Sequence, residues 1–352
     1  SEELSRLAAV AAVTARDEFT TRERPRFAAG ALGSGTKMPS LGAIGFDVLV
    51  ESYRVGARGL LKGGVDVILI ETAQDILQVK AAIFGARQAM ADVGREVPIQ
   101  AQVTVETTGT MLAGTDIIGA LTALEALPVD VVGMNCATGP DLMDSHIRTM
   151  AEQATRWVSC LPNAGLPRNV GGRAVFDLTP AELAKWHVKF VKDYGVNLVG
   201  GCCGTGPEHI KAVAEAVRGM APGRKRPDGF TPSLSSLYQQ MPLKQDAGIL
   251  LVGERTNATG SKKFQELLLK DDWDHIVALA QEQVAEGAHV LDVTCAMAVS
   301  GRSETRDMRE VLKRLSTAVT IPIMVDSTQI DVMEEALKLL GGRAIVNSVN
   351  LE

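Results

Sequence analysis

Three cysteines carry the chemistry that this sequence offers. Cys136 closes the run Val131-Val132-Gly133-Met134-Asn135-Cys136, and Cys202 and Cys203 stand side by side in Gly200-Gly201-Cys202-Cys203-Gly204. Each motif follows a short apolar run that reads as a strand, which puts all three thiols at strand ends. Thiolates gathered this way make a soft site suited to zinc. Three protein ligands leave a fourth position open, the layout of a catalytic ion. With three thiolates the site has a net charge of about −1, so it activates water poorly. It suits a second thiol, which it would deprotonate and leave nucleophilic enough to attack a methyl group.

Cys160 and Cys295 stand alone and are expected to be buried core thiols. Five cysteines in 352 residues do not make a disulfide framework, and adjacent cysteines pair badly. A reducing, cytoplasmic setting fits better. His146, His187, His209 and His275 fall in helix-like segments and His289 begins a strand. No ligand spacing emerges, and all five are expected at the surface or at helix ends. Glu71 ends the strand-like run Val67-Ile68-Leu69-Ile70. A carboxylate there would face the same mouth and could pair with an ammonium group; the plainer alternative is an acid at a helix N-terminus, favoured by the dipole.

Composition narrows the class. The chain is 46% hydrophobic and 22% charged, so it reads as a globular protein of about two domains. A net charge of −6 argues against broad nucleic-acid binding, which needs clustered Lys and Arg. The one basic cluster, Arg224-Lys225-Arg226, lies in a Pro/Gly stretch and reads as solvated linker. No run approaches the ~18 apolar residues of a membrane span, and Ser1 to Thr20 mixes acids and bases, unlike a signal peptide.

Strand and helix patterns alternate throughout. In the first series strands are expected at 27–32, 65–70, 98–105, 129–134, 161–164 and 196–199. The helices expected with them are 46–61, 75–90, 116–127, 141–158, 180–192 and 207–217. Thr36 to Gly45 and Leu166 to Asp177 are longer loops, placed where barrel enzymes keep their chemistry. From 219 to 248 the pattern stops amid Pro222, Pro227, Pro232 and Pro242, an interdomain linker. A second series follows, with strands at 249–253, 289–293, 321–326 and 344–346 and helices at 272–286, 304–317 and 330–340.

Such βα repeats with apolar strands form parallel sheets covered by helices. The expected fold is α/β, two (β/α)8 TIM barrels in tandem. The first series gives about six units and the second about three and a half, against the eight that close a barrel. Both barrels are therefore expected to be truncated: residues 1–218 lack about two units at the front, and 249–352 hold only an N-terminal half. A six-stranded open sheet is the competing geometry. In a repeat of about 30 residues per unit, Cys136 and Cys202 lie two units apart, on one face at nearly adjacent strands.

Polar residues also end the strands of the second series. Gly253-Glu254-Arg255-Thr256-Asn257, Asp292, Asp326-Ser327-Thr328 and Asn347-Ser348 all follow or close apolar runs. Together they point to one polar pocket, and Asp and Asn suit the donor-acceptor edge of a pterin ring. Singly each is an ordinary helix cap.

The two cysteine motifs, in their order and spacing, resemble the zinc motifs of the homocysteine S-methyltransferase family, over about Arg24 to Arg218. The resemblance implies that Cys136, Cys202 and Cys203 bind Zn2+, that the zinc binds homocysteine thiolate, and that Glu71 holds the homocysteine amino group. The family's early Asp-Gly loop has no counterpart here. Leu251-Val252-Gly253-Glu254-Arg255-Thr256-Asn257 resembles the pterin-binding methyltetrahydrofolate methyltransferases, which implies pterin contacts from Glu254, Asn257, Asp326 and Asn347, with Asp292 assigned less directly. That family often has Asp-x-Asn after its second strand, where this chain has Asp292-Val293-Thr294. The order of the two modules resembles the front half of the cobalamin-dependent methionine synthases. It implies a cytoplasmic methyltransferase that makes methionine. The methyl of 5-methyltetrahydrofolate would pass through methylcobalamin, carried by a corrinoid-binding domain or protein, to zinc-activated homocysteine. The corrinoid motif Asp-x-His-x-x-Gly is not in this sequence; the nearest stretch, Asp144-Ser145-His146-Ile147-Arg148-Thr149, lacks the glycine.

Two rivals remain at this level. One keeps the first module and lets another methyl donor, such as a betaine, react directly. The other is a zinc-thiolate storage or scaffolding protein without turnover.

Overall fold

Alternating strands and helices run through the computed structural model, which describes residues 1–223, 226–246, 248–297 and 301–349. The first region opens with helix α1 (Glu2–Phe19), then β1 (Ala29–Leu32), α2 (Phe46–Lys62), β2 (Val67–Ala73), α3 (Ile76–Val93) and β3 (Ile99–Val103). It continues through α4 (Ile117–Glu125), β4 (Val131–Asn135), α5 (Pro140–Gln153), β5 (Trp157–Leu161) and a hairpin of β6 (Arg168–Val170) and β7 (Arg173–Val175). Helix α6 (Pro180–Lys189), strand β8 (Leu198–Val199) and helix α7 (Pro207–Ala216) complete it. A second hairpin, β9 (Ser233–Ser235) and β10 (Gln240–Pro242), leads to β11 (Val252–Gly253), α8 (Lys262–Leu269) and α9 (Trp273–Ala285). The last elements are β12 (Val290–Val293), α10 (Glu304–Ala318), β13 (Ile323–Asp326), α11 (Ile330–Leu337) and β14 (Ile345–Asn347).

The large sheet runs in the order β1-β2-β3-β4-β5-β8 and every pairing in it is parallel. The second sheet, β11-β12-β13-β14, is parallel too. Among the described residues both are open at their ends, six strands and four, in line with the unit count read from the sequence. Strands β3 and β4 are buried at every position, as in a parallel sheet covered on both faces. Each sheet has its own apolar core, one built on α2, α3 and β2 to β5, the other on α8 to α11 and β12 to β13.

Several expectations shift. Helix α5 ends at Gln153 rather than Val158, because Ala154 turns to extended geometry and the Glu125 carboxylate accepts from both the N–H and the hydroxyl of Thr155. The chain enters the sheet at once, so the strand is Trp157–Leu161, not 161–164. Strand β2 runs past Ile70 to Ala73, with a register irregularity between them. The stretch 219–248 is more than a linker. Ser233, Leu234 and Ser235 are buried, Asp116 N–H donates to the Tyr238 carbonyl (2.8 Å), and Ser235 N–H donates to the Arg343 carbonyl (3.1 Å). The Tyr238 hydroxyl reaches the Thr317 carbonyl at 2.7 Å. The β9–β10 hairpin thus grips both regions. At Gly342 an added Cβ would lie 2.1 Å from the Ser235 carbonyl oxygen, a close approach that only glycine permits. Arg224 and Lys225 lie outside the described residues, while Arg226 stacks 3.7 Å over the Trp157 ring, so that part of the basic cluster is not free in solvent.

Candidate metal and substrate site

Cys136 follows β4 and Cys202 follows β8, with only β5 between those strands. The three sulfurs of Cys136, Cys202 and Cys203 all lie within 4.8 Å of one another. They form the one group of three or more His, Cys, Asp or Glu ligand atoms so arranged among the described residues. Cys136 Sγ and Cys203 Sγ are 3.8 Å apart. Cys203 is exposed and the other two are half-buried, so the cluster has a solvent side.

The backbone is bent to bring them there. Cys136 and Ala137 have φ of 63° and 58°, left-handed values that L residues rarely adopt. The Cys136 N–H donates to the Leu161 carbonyl (3.2 Å), the Cys202 N–H to the Pro162 carbonyl (2.8 Å), and the Ala164 N–H to the Cys203 carbonyl (2.9 Å). Both cysteine loops therefore hang from the end of β5. Gly204 (φ 79°) packs where a Cβ would meet the Phe176 ring at 2.3 Å, so the 166–177 loop lies against the vicinal pair. Gly200 is pinned from below by His187, whose Nε2 lies 2.6 Å from the Gly200 carbonyl.

The electrostatics are those of thiols competing for protons. The Cys202 thiol donates to the Cys136 sulfur, which draws Cys136 down to about 5. Cys202 is pushed up by the same bond and by burial. Burial also raises Cys203, and the Cys136 charge adds to it. A divalent cation would remove this competition by stabilising all three as thiolates. Cys160 and Cys295 are buried and raised by that burial, as core thiols should be.

Glu71 lies in β2, four residues before Asp75, which is the residue that caps α3. The helix-cap alternative therefore does not hold. Its carboxylate is half-buried and raised, first by desolvation and then by the Cys136 charge. Among the described residues it has no cationic partner. Asn135, wholly buried, joins it to the sulfurs: Asn135 Nδ2 lies 3.5 Å from Glu71 Oε2 and 3.7 Å from Cys202 Sγ.

Two asparagines and a histidine escaped the sequence reading. Asn135 had a signal, a polar residue closing an apolar strand next to a ligand candidate. Asn163, whose Oδ1 accepts from the Cys203 N–H at 3.0 Å, had none. His187 was expected near the surface but is fully buried, and burial lowers it to about 4. It lies on the face of α6 turned to Phe190, and the apolar periodicity of that helix does not distinguish it from its neighbours. Of the others, His209 accepts from the Gly206 N–H at the start of α7 and His289 accepts from the Leu251 N–H, both at element ends as expected.

At the second sheet, Asn257 Nδ2 donates to Asp292 Oδ2 (2.7 Å) and lies 3.4 Å from Asp326 Oδ2. Asp292 is buried, and its Oδ1 has no hydrogen-bond partner. Burial raises its pKa, offset in part by the Asn257 bond, and Asp326 and Glu254 add their charges. Asn347 is the register partner of Asp326 on β14. In place of the Asp-x-Asn asparagine, Thr294 donates to the Asp326 carbonyl at 3.0 Å. Asn257, Asp292 and Asp326 are thus brought together by contact; Glu254 and Asn347 are exposed at the rim.

A family model described as homocysteine S-methyltransferase matches residues 1–217, and one described as pterin binding enzyme matches 253–352. A methionine synthase of Mycobacterium tuberculosis (strain ATCC 25618 / H37Rv) is 48% identical over 96% of this chain and 28% of its own length. A methionine synthase of Mycobacterium leprae (strain TN) is 46% identical over 99% of this chain and 29% of its own. The chain thus spans less than a third of the length of these relatives. Among solved structures, the apo form of the homocysteine methyltransferase MmuM from Escherichia coli aligns with a TM-score of 0.48 at 19% identity, covering 61% of this chain and 76% of that one.

Proposed function

The chain belongs to the homocysteine S-methyltransferase family, and on that premise we propose that Cys136, Cys202 and Cys203 hold a zinc ion to which homocysteine brings its thiol. The observation that carries this reading is the convergence of three sulfurs within 4.8 Å at the carboxyl ends of two strands, with one side exposed. The donor set fits: soft ligands, already sharing protons, at the spacing of a single tetrahedral centre. When bound, the ion would lower the pKa of the substrate thiol and leave its sulfur nucleophilic at neutral pH.

The chain's own residues orient and hold. Glu71, half-buried without a cation, would accept the substrate ammonium, and that charge would bring its raised pKa back down. The loop around Phe176, packed on Gly204, would shield the reacting sulfur from water on that side.

The methyl donor in this proposal is 5-methyltetrahydrofolate at the second sheet. Asp292 Oδ1 supports it: a buried acceptor without a donor is what a pterin ring N–H would satisfy. Asn257 and Asp326 would flank the ring, with Glu254 and Asn347 at the rim. Net transfer from folate to sulfur would yield methionine. The two mouths lie on separate sheets, so a mobile carrier such as a corrinoid on another module is the simplest relay. On this reading both sheets are parts of barrels.

X-ray absorption at the zinc edge, with and without homocysteine, tests the first step. Three sulfur neighbours should become four. An unchanged coordination shell on saturation with homocysteine would overturn it and favour a storage role.

A further inference from the structure

The unassigned side chain of most consequence is Asn135. It is wholly buried, and both polar atoms of its side chain and its backbone carbonyl are engaged. Its Oδ1 accepts from the Thr72 backbone N–H at 2.8 Å, and its backbone carbonyl accepts from the Thr104 hydroxyl at 2.8 Å. Since a backbone N–H can only donate, the first bond fixes which way the amide faces. Nδ2 must therefore point to the other side, where it meets Thr72 Oγ1 at 2.9 Å, Glu71 Oε2 at 3.5 Å and Cys202 Sγ at 3.7 Å. Thr72 has φ 57°, so the strand bends at this point, and Asn135 holds both its N–H and its hydroxyl.

We propose that Asn135 is a positioning residue that sets the distance between the carboxylate of Glu71 and the sulfur of Cys202, and so selects thiols that carry an amino group at the reach of homocysteine. The inference rests on the function proposed above. Homocysteine holds its amine and its sulfur apart by a short carbon chain. A site that binds both ends must therefore fix the separation of its two anchors, one on β2 and the other on the loop after β8. Those anchors have no direct bond to each other. A single rigid amide spans them, and its N–H groups also favour negative charge on both the carboxylate and the sulfur.

The test uses the full chain loaded with cobalt(II) in place of zinc, titrated with homocysteine and with 4-mercaptobutanoate, the same thiol without the amine. The three cysteine thiolates already give cobalt charge-transfer absorption, and its increase on adding a fourth thiolate reports binding of each without turnover. In the wild type homocysteine should bind more tightly than its amine-less analogue. In Asn135→Ser that preference should fall about tenfold, the loss of one charge-assisted contact, with 4-mercaptobutanoate affinity and metal content unchanged. Thr72→Gly keeps the backbone N–H bond, drops only the hydroxyl anchor and should lower the same preference by a smaller factor; it carries the test if Asn135→Ser does not fold. An unaltered preference in both variants overturns the positioning role. Equal loss of both thiols marks Asn135 as merely structural and overturns it too. No change in charge transfer on adding either thiol to the wild type would instead sink the proposed function, and this inference with it.

Discussion

At the first mouth three sulfurs converge from two loops and contend for protons, so that Cys136 is drawn to about 5 while Cys202 is pushed up. At the second, amide and carboxylates have already satisfied one another: Asn257 bonds Asp292 and reaches Asp326, and only Asp292 Oδ1 is left over. The two regions share a parallel sheet and the habit of placing polar groups at carboxyl strand ends. They differ in how far the vacant site dictates its guest. Three thiols within 4.8 Å of one another admit few partners besides a soft cation. A polar cluster with one spare acceptor admits many, and the ring that completes it must be inferred from shape and pattern.

The sharpest way to break this contrast is at the first mouth. Cys202→Ser replaces a thiolate by a hydroxyl that stays protonated at neutral pH and binds zinc far more weakly. Zinc should be lost altogether in a chelator competition read by elemental analysis, while pterin binding at the other sheet is untouched. Full retention of zinc would mean that the sulfurs do not form one centre.

The next effect concerns acid. The folded His187 imidazole takes up a proton only near about 4, while an unfolded one does so near 6.5. Between those values the unfolded chain binds more protons, so stability is fully present above pH 6.5 and declines as the pH falls towards 4. The shift corresponds to about 3 kcal/mol at its limit. Other groups titrate in that range, and His187→Gln isolates the contribution. The glutamine keeps a donor for the Gly200 carbonyl but cannot titrate. Its acid denaturation, followed by circular dichroism with zinc release, should start at lower pH than that of the wild type. Coincident curves would show that the histidine does not couple the vicinal-cysteine loop to pH.

Legibility followed the same divide. Among the described residues the six and four parallel strands were countable because apolar runs such as Val67-Ile68-Leu69-Ile70 in β2 and Val131-Val132 in β4 alternate with helix patterns. The cysteine cluster was legible because glycine and strand ends frame it. The β6–β7 hairpin was missed although Gly171-Gly172, both with positive φ, is a strong turn signal between short strands. The clamp at 233–242 was hidden for another reason. Ser233, Ser235 and Ser236 are buried through contacts with α4 and the stretch before β14, and nothing local to a serine announces that. His187 and Asn163 belong with it: their roles exist only once distant loops have met.

The last prediction turns the contrast into a trade-off. Asp292 is costly to the empty protein, since burial disfavours its charge and Oδ1 goes unbonded. If a pterin N–H is the missing donor, Asp292→Asn should weaken pterin binding by about 2 kcal/mol, the usual loss for a hydrogen bond to a charged group. The same substitution removes one buried charge facing Asp326 and Glu254, so the unliganded chain should melt at a higher temperature. Calorimetric titration with a pterin and a thermal melt of the same sample read both signs. Lower affinity with unchanged or lower stability would mean that the vacant oxygen is not held in reserve for a ligand. No comparable trade-off exists at the cysteine cluster, where the guest that uses the site also relieves its internal conflict.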